Sequence, residues 1–136
     1  MRLLPLVLVF ACVTAHAAPR RKAATGVRCK NDHCWITSAS RDRLLGDLDS
    51  VMNSMRAVPH FADRQVDGWK LDEIAPGSIF ALVGFDNGDV VHTINGVSVA
   101  NPMDAMPLLL TVRSLSQVTV VGLHHGKPRT LELTVK

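Results

Sequence analysis

From Val66 to Val135 the chain is divided by turn-forming residues into short pieces, and that punctuation limits the fold to small strands with few helices. Val66 to Ile74 reads as a strand entered through Asp67-Gly68, and Ala75-Pro76-Gly77 turns it into a short helical stretch, Ser78 to Val83. After the turn Gly84-Phe85-Asp86-Asn87-Gly88, residues Val90, His92 and Ile94 alternate with Val91 and Thr93 as in a strand. Asn95-Gly96 before Val97-Ser98-Val99 is a hairpin signal, because both central positions of the favoured turn need positive φ. Asn101 as cap and Pro102 at the first position open a helix reaching about Arg113. Pro107 conflicts with that helix: it either kinks it or starts its regular part, since an interior proline costs ~3 kcal/mol. Two strands close the chain, Gln117 to His124 and Arg129 to Val135, around His125-Gly126-Lys127-Pro128.

Upstream, Leu44, Leu45, Leu48, Val51, Met52 and Met55 share one face of an amphipathic helix beginning near Ser40, and Pro59 turns the chain extended after it. Residues 18–33 are rich in Ala, Arg and Lys without hydrophobic periodicity, so order is expected to begin near Trp35-Ile36. The apolar run Leu3 to Val13, followed by Ala15-His16-Ala17, fits a cleavable export signal and is short for a membrane span. Arg20, Arg21 and Lys22 after the run reverse the usual charge asymmetry, which leaves an uncleaved anchor as the rival reading. The division expected is a signal peptide over 1–17, a basic flexible linker over 18–34, a helix and extended segment over 35–65, and a domain over 66–136. With 136 residues there is room for one core.

Charge and composition exclude several functions. Residues 1–43 carry +6 while residues 44–136 carry −3, so the basicity is a tail and the folded part offers no basic face to phosphates. There is no tyrosine and little Phe or Trp, which makes a base-stacking platform hard to build. Nucleic acid is not an expected partner. Cys29 and Cys34 are the two cysteines left after signal removal, an even count suited to a disulfide in an oxidising compartment. Read as zinc ligands, Cys29, His33 and Cys34 lack a second ligand pair, so no metal is expected. His124 and His125 are adjacent and, in a strand, would point to opposite faces; His33, His60 and His92 stand alone in sequence. Ser78 lacks the second glycine of a nucleophile elbow, so no catalytic residue is assigned and no cofactor or small-molecule substrate is expected.

Gly68-Trp69-Lys70-Leu71, Pro76-Gly77-Ser78-Ile79-Phe80, Gly84-Phe85-Asp86-Asn87-Gly88-Asp89-Val90-Val91 and Ile94-Asn95-Gly96 together resemble a PDZ domain of the bacterial, circularly permuted type. With Arg56-Ala57-Val58-Pro59-His60-Phe61 upstream, the chain is similar from about Ile36 to Val135 to the periplasmic end of the C component of type II secretion systems, the general secretion pathway protein C family. The resemblance implies an α+β fold: a small, partly open barrel or sandwich of about five strands with two helices, preceded by one amphipathic helix. It implies a non-enzymatic periplasmic module whose partners are proteins: the secretin, secretion-platform components or exported substrates. A weak homodimer is compatible with it. The family's transmembrane helix and secretin-contacting homology region have no counterpart in this sequence, which suggests a short stand-alone form.

A PDZ domain binds by strand addition, the backbone supplying affinity and alternate side-chain pockets supplying choice. The edge expected here is Trp69 to Glu73, facing a helix on which Ala105, Leu108, Leu109 and Val112 share one side. Asp67, Gly68, Trp69, Lys70 and Leu71 complete the expected peptide-binding set, with Asp67 beside the loop that holds a terminal carboxylate in many PDZ domains. Trp69, Leu71, Leu109 and Val112 equally suit plain core positions. The competing function is a general periplasmic PDZ adaptor regulating a protease or envelope-stress factor; a small hydrolase is the third class.

Overall fold

The computed structural model describes residues 26–136, and the expected signal peptide lies outside them. In chain order the elements are β1 (Val27–Lys30), β2 (His33–Ile36), α1 (Ser38–Leu45), α2 (Leu48–Asn53), β3 (Arg56–Ala62), β4 (Gln65–Asp72), α3 (Ile79–Leu82), β5 (Val90–Ile94), β6 (Val97–Ser98), α4 (Pro102–Val112), β7 (Gln117–His124) and β8 (Lys127–Val135). The strands form one open sheet of eight in the order β1-β2-β8-β7-β5-β4-β3, with β6 paired to β5 off that path. This is the expected α+β, PDZ-like class. The strand count is higher because the Val-Pro-His segment is itself a strand, β3, and because a further hairpin precedes the helices.

That hairpin corrects the expectation of a flexible linker over 18–34 in its described part. Asn31 takes a left-handed φ of 53° at the turn, and β1 and β2 pair antiparallel with Cys29 opposite Cys34. The two cysteines are joined by a disulfide. β2 then pairs with β8, the one parallel ladder in the sheet, and Cys34 and Ile36 pass into the core at 0% and 1% exposure. Burial of those two side chains is what orders the segment.

The single amphipathic helix expected from Ser40 is two short ones. Gly46 weakens the helix where it stands, and Asp47 caps a new one by accepting from the Asp49 N–H, 3.2 Å, and the Ser50 hydroxyl, 2.5 Å. Leu44, Leu45 and Val51 nevertheless pack on the core. α4 runs on through Pro107, with Pro102 in its first turn and the Asn101 side chain accepting from the Met103 N–H, so Pro107 is not its start.

The core has two parts. Cys34, Ile36, Ile79, Val83 and Leu131 form one, and Leu71, Val91, Val99 and Ala105 the other, with Phe80, Phe85 and Val120 packed against both.

Candidate functional site

The backbone of β4 is engaged on both sides. β3 pairs along its whole length, from Arg56 opposite Asp72 to Ala62 opposite Gln65, and β5 pairs at Trp69 and Lys70. The edge expected at Trp69 to Glu73 is therefore closed, and the open rim lies one strand further out, on β3. The physical reason is the Asp63-Arg64 turn: both residues take left-handed φ, 49° and 68°, and fold the Arg-x-Val-Pro-His segment back onto β4 as a hairpin.

What the β3 rim offers follows from the neighbouring strand. The Leu71 N–H donates to the Asp89 carbonyl at 2.8 Å and its carbonyl accepts from the Gly88 N–H at 2.7 Å, so both groups point away from β3. Ala57 stands opposite Leu71 and Pro59 opposite Trp69, in the same phase of the ladder. Ala57 thus turns its N–H and carbonyl outward, and Pro59, which has no N–H, sits where none is needed for β4.

Beside this rim lies an apolar groove of about 270 Å³. Trp69 and Leu71 line it from β4, Ala105, Met106 and Leu109 from α4, Met52 from α2, Met55 from the turn after it and Ala57 from the start of β3. The Trp69 indole N–H donates to the Val99 carbonyl at 2.5 Å, which fixes the ring in the wall. Met52 and Met106 are both exposed at its mouth. Thioether side chains adapt to partners of varied shape.

Of the expected peptide-binding residues, the fold brings Trp69, Leu71, Ala105 and Leu109 together in this groove. Val112 lines an adjoining, partly open pocket of about 130 Å³ bounded by α4, the short helices and the sheet, which shares Leu109 with the groove, and Leu108 packs against the Leu71 part of the core. Lys70 pairs with Asp72 at 3.3 Å. Gly68 is opposite His60, and a side chain there would strike the Val91 carbonyl at 2.2 Å. Met52 and Met55 are legible as apolar helix positions, but that they line one groove with Ala57 and Met106 is not, because it depends on the β3–β4 hairpin, a pairing set outside the helix.

Asp67 is not beside the groove mouth. It faces two histidines, with His60 Nδ1 at 2.5 Å from Oδ1 and His92 Nε2 at 3.2 Å from Oδ2. Partial burial pushes its carboxyl up, but the His60 hydrogen bond and the charges of His60 and His92 outweigh that and hold it below the usual value. A depressed folded pKa contributes stability that is complete above the unfolded value, ~3.9, and is lost as pH falls through the folded one. The melting-temperature difference between the parent and Asp67→Asn is accordingly expected to shrink below about pH 4 in a pH series.

The second histidine expectation also changes. His124 ends β7 and His125 stands in the following turn with φ 50°, so strand alternation does not separate them, and both approach Asp86, at 3.8 and 2.9 Å.

No family model matches this chain, and no curated protein does. Among solved structures, the chain is similar to the PDZ domain of EpsC from Vibrio cholerae, residues 204–305, with TM-score 0.54 and 16% identity over 71% of this chain and 91% of that one. A looser likeness, TM-score 0.49 and 16% identity over 71% of this chain and 97% of the other, is to the PDZ domain of the pullulanase C protein of the type II secretion system from Klebsiella pneumoniae, solved in complex with fatty acid. The first likeness establishes a PDZ-type fold.

Proposed function

We propose that this chain is a non-catalytic protein-interaction module that receives an extended segment of a partner protein on the β3 rim, in the periplasmic setting of a type II secretion system. The observation that carries the binding mode is the juxtaposition of an unpaired strand edge at Ala57 with an apolar groove between that edge and α4. Main-chain pairing to Ala57 supplies affinity, and the groove takes an apolar side chain of the partner. Pro59 interrupts the row of donors, so pairing is confined to the stretch around Ala57, the same end at which the groove lies. The opposite rim of the sheet, β1, carries Arg28 and Lys30, charges of the kind that blunt an exposed edge.

The setting rests on the resemblance of the Arg56-to-Phe61 segment and the domain after it to the C component of type II secretion systems, and the PDZ fold shared with EpsC is consistent with it. The expected partners are the secretin, platform components or exported substrates, reached after export.

Ala57→Pro removes the outward N–H without taking a donor from the β3–β4 ladder. Crosslinking pull-down from the envelope fraction with the full chain is expected to lose its protein partner at least about tenfold in this variant, the energy of one or two hydrogen bonds made in a dry groove. Lys30→Ala on the far rim is expected to leave capture unchanged. Undiminished capture by Ala57→Pro overturns the binding mode. Deletion of the gene tests the setting separately: exoproteins are expected to accumulate in the periplasm, and unchanged secretion rejects the type II assignment while leaving strand addition intact.

A further inference from the structure

Three side chains that are far apart in sequence, His60, Asp67 and His92, meet on the adjacent strands β3, β4 and β5 with their ligand atoms all within 4.8 Å of one another. Two backbone irregularities put them there. The β3–β4 register shifts between His60 and Phe61, passing from His60 opposite Gly68 to Phe61 opposite Val66, which leaves Asp67 as the unpaired extra residue. The β5–β7 register shifts between Val91 and Thr93, which leaves His92 as the extra residue there. Bulges re-aim side chains, and here two of them aim at one point. Gly68 completes the arrangement: it lies between His60 and His92, and a Cβ on it would stand 2.9 Å from the His92 ring.

We propose that His60 Nδ1, Asp67 and His92 Nε2 form a binding site for a divalent transition-metal ion, with zinc as the ion that suits it. Two imidazoles and a carboxylate are borderline donors that favour zinc over magnesium or calcium, which seek all-oxygen shells. Tetrahedral ligands at about 2.0–2.1 Å from zinc lie about 3.3 Å from each other, a spacing these groups reach by small side-chain rotations. His92 Nε2 is buried from water and, although 3.2 Å from Asp67, makes no well-directed hydrogen bond, which leaves its lone pair for an ion to take up. All three side chains remain about one-third exposed, so ions have access and the fourth position is open to water or to a partner's side chain. None of the three lines the apolar groove, so the site is independent of the docking proposal.

The other histidine pair is less suited. Around His124, Nδ1 is taken by the Asp89 carboxylate at 2.7 Å, and the Arg129 guanidinium lies 3.4 Å from that nitrogen, a fixed positive charge that repels a cation. No Lys or Arg is among the causes that act on Asp67, so no fixed positive charge opposes a cation there. The ion ties three strands at the point where both bulges interrupt their ladders.

Titration calorimetry of the full, disulfide-intact chain with zinc chloride at pH 7.5 is expected to show one saturable site of this origin, with no magnesium binding. His60→Ala and His92→Ala are each expected to weaken it on the order of 10–100-fold or more, and His125→Ala to leave it unchanged. Affinity is expected to fall as the pH is lowered, because protons compete with the metal for the same imidazole nitrogens. Thermal unfolding supplies a second readout: zinc at a hundredfold excess over its Kd should raise the parent's Tm by roughly 5–10 °C and leave His92→Ala, folded by circular dichroism, unmoved. Zinc binding that survives both His60→Ala and His92→Ala, that disappears in His125→Ala, or that is not seen with the folded parent overturns the proposal.

Discussion

Asp89→Ala is expected to destabilise the fold by about 3–5 kcal/mol, the range for removing one partner of a buried charged network. Asp89 is 1% exposed. Its Oδ2 accepts from the Asp86 N–H at 3.0 Å, closing the Asp86-Asn87-Gly88-Asp89 turn, and lies 2.7 Å from His124 Nδ1 and 3.8 Å from the Arg129 guanidinium. The turn it closes also holds the end of β4, since the Gly88 N–H and the Asp89 carbonyl bond Leu71 and the Asn87 side chain accepts from the Ile74 N–H. Alanine would leave the Asp86 N–H without its acceptor and take the carboxylate away from His124 and from the largely buried Arg129 guanidinium, which would keep Asp32 and the Gly84 carbonyl. Asn at this position keeps an acceptor for the Asp86 N–H and is expected to cost less, about 1–2 kcal/mol. Urea denaturation of the three proteins measures this; Asp89→Ala within about 1 kcal/mol of the parent would mean the network contributes little.

The same residues explain which parts of the fold are legible in sequence. Asn95-Gly96, Pro102 after Asn101 and the turn from Gly84 to Gly88 act locally, through φ and capping, so β5, β6, α3 and α4 stand where punctuation puts them. Leu71 and Trp69 are legible as apolar strand positions, and they do line the groove. Which edge is open is a different kind of property. It depends on Arg56 to Ala62 pairing with β4, a segment whose Pro59 argues against an ordinary inner strand and is tolerated only because its nitrogen faces outward. The His60–Asp67–His92 cluster is hidden for the same reason: spacing shows no ligand pattern, because bulges in two ladders, not periodicity, aim the side chains. Asn31-Asp32 between Cys29 and Cys34 is the one local cue to the first hairpin, and a basic, unpatterned surrounding masks it.

That hairpin carries the second large effect. Ile36→Ala is expected to cost about 2–5 kcal/mol, as for other buried large-to-small changes, whereas a residue at the end of a flexible tether would cost nothing. Ile36 is 1% exposed among Ile79, Val83 and Leu131, and its carbonyl accepts from the Lys136 N–H at 2.8 Å, so it joins β2 to Lys136 just beyond β8. Burying β2 against β8 means that the outer edge of β8 is covered by this protein's own backbone, which leaves β1 and β3 at the two ends of the main strand order, with the two-residue β6 beside β5. Reduction of the Cys29–Cys34 disulfide is the milder perturbation of the same unit: closing a loop this short contributes roughly 2 kcal/mol in the chain-entropy account. Thermal melts of Ile36→Ala and of the reduced parent check both values, and the order matters. If reduction is the more damaging, the hairpin is held by its covalent clip. If Ile36→Ala is, the hairpin is part of the core, and a chain truncated to begin after Ser38 would expose Leu131 and Leu133 and fail to fold as this one does.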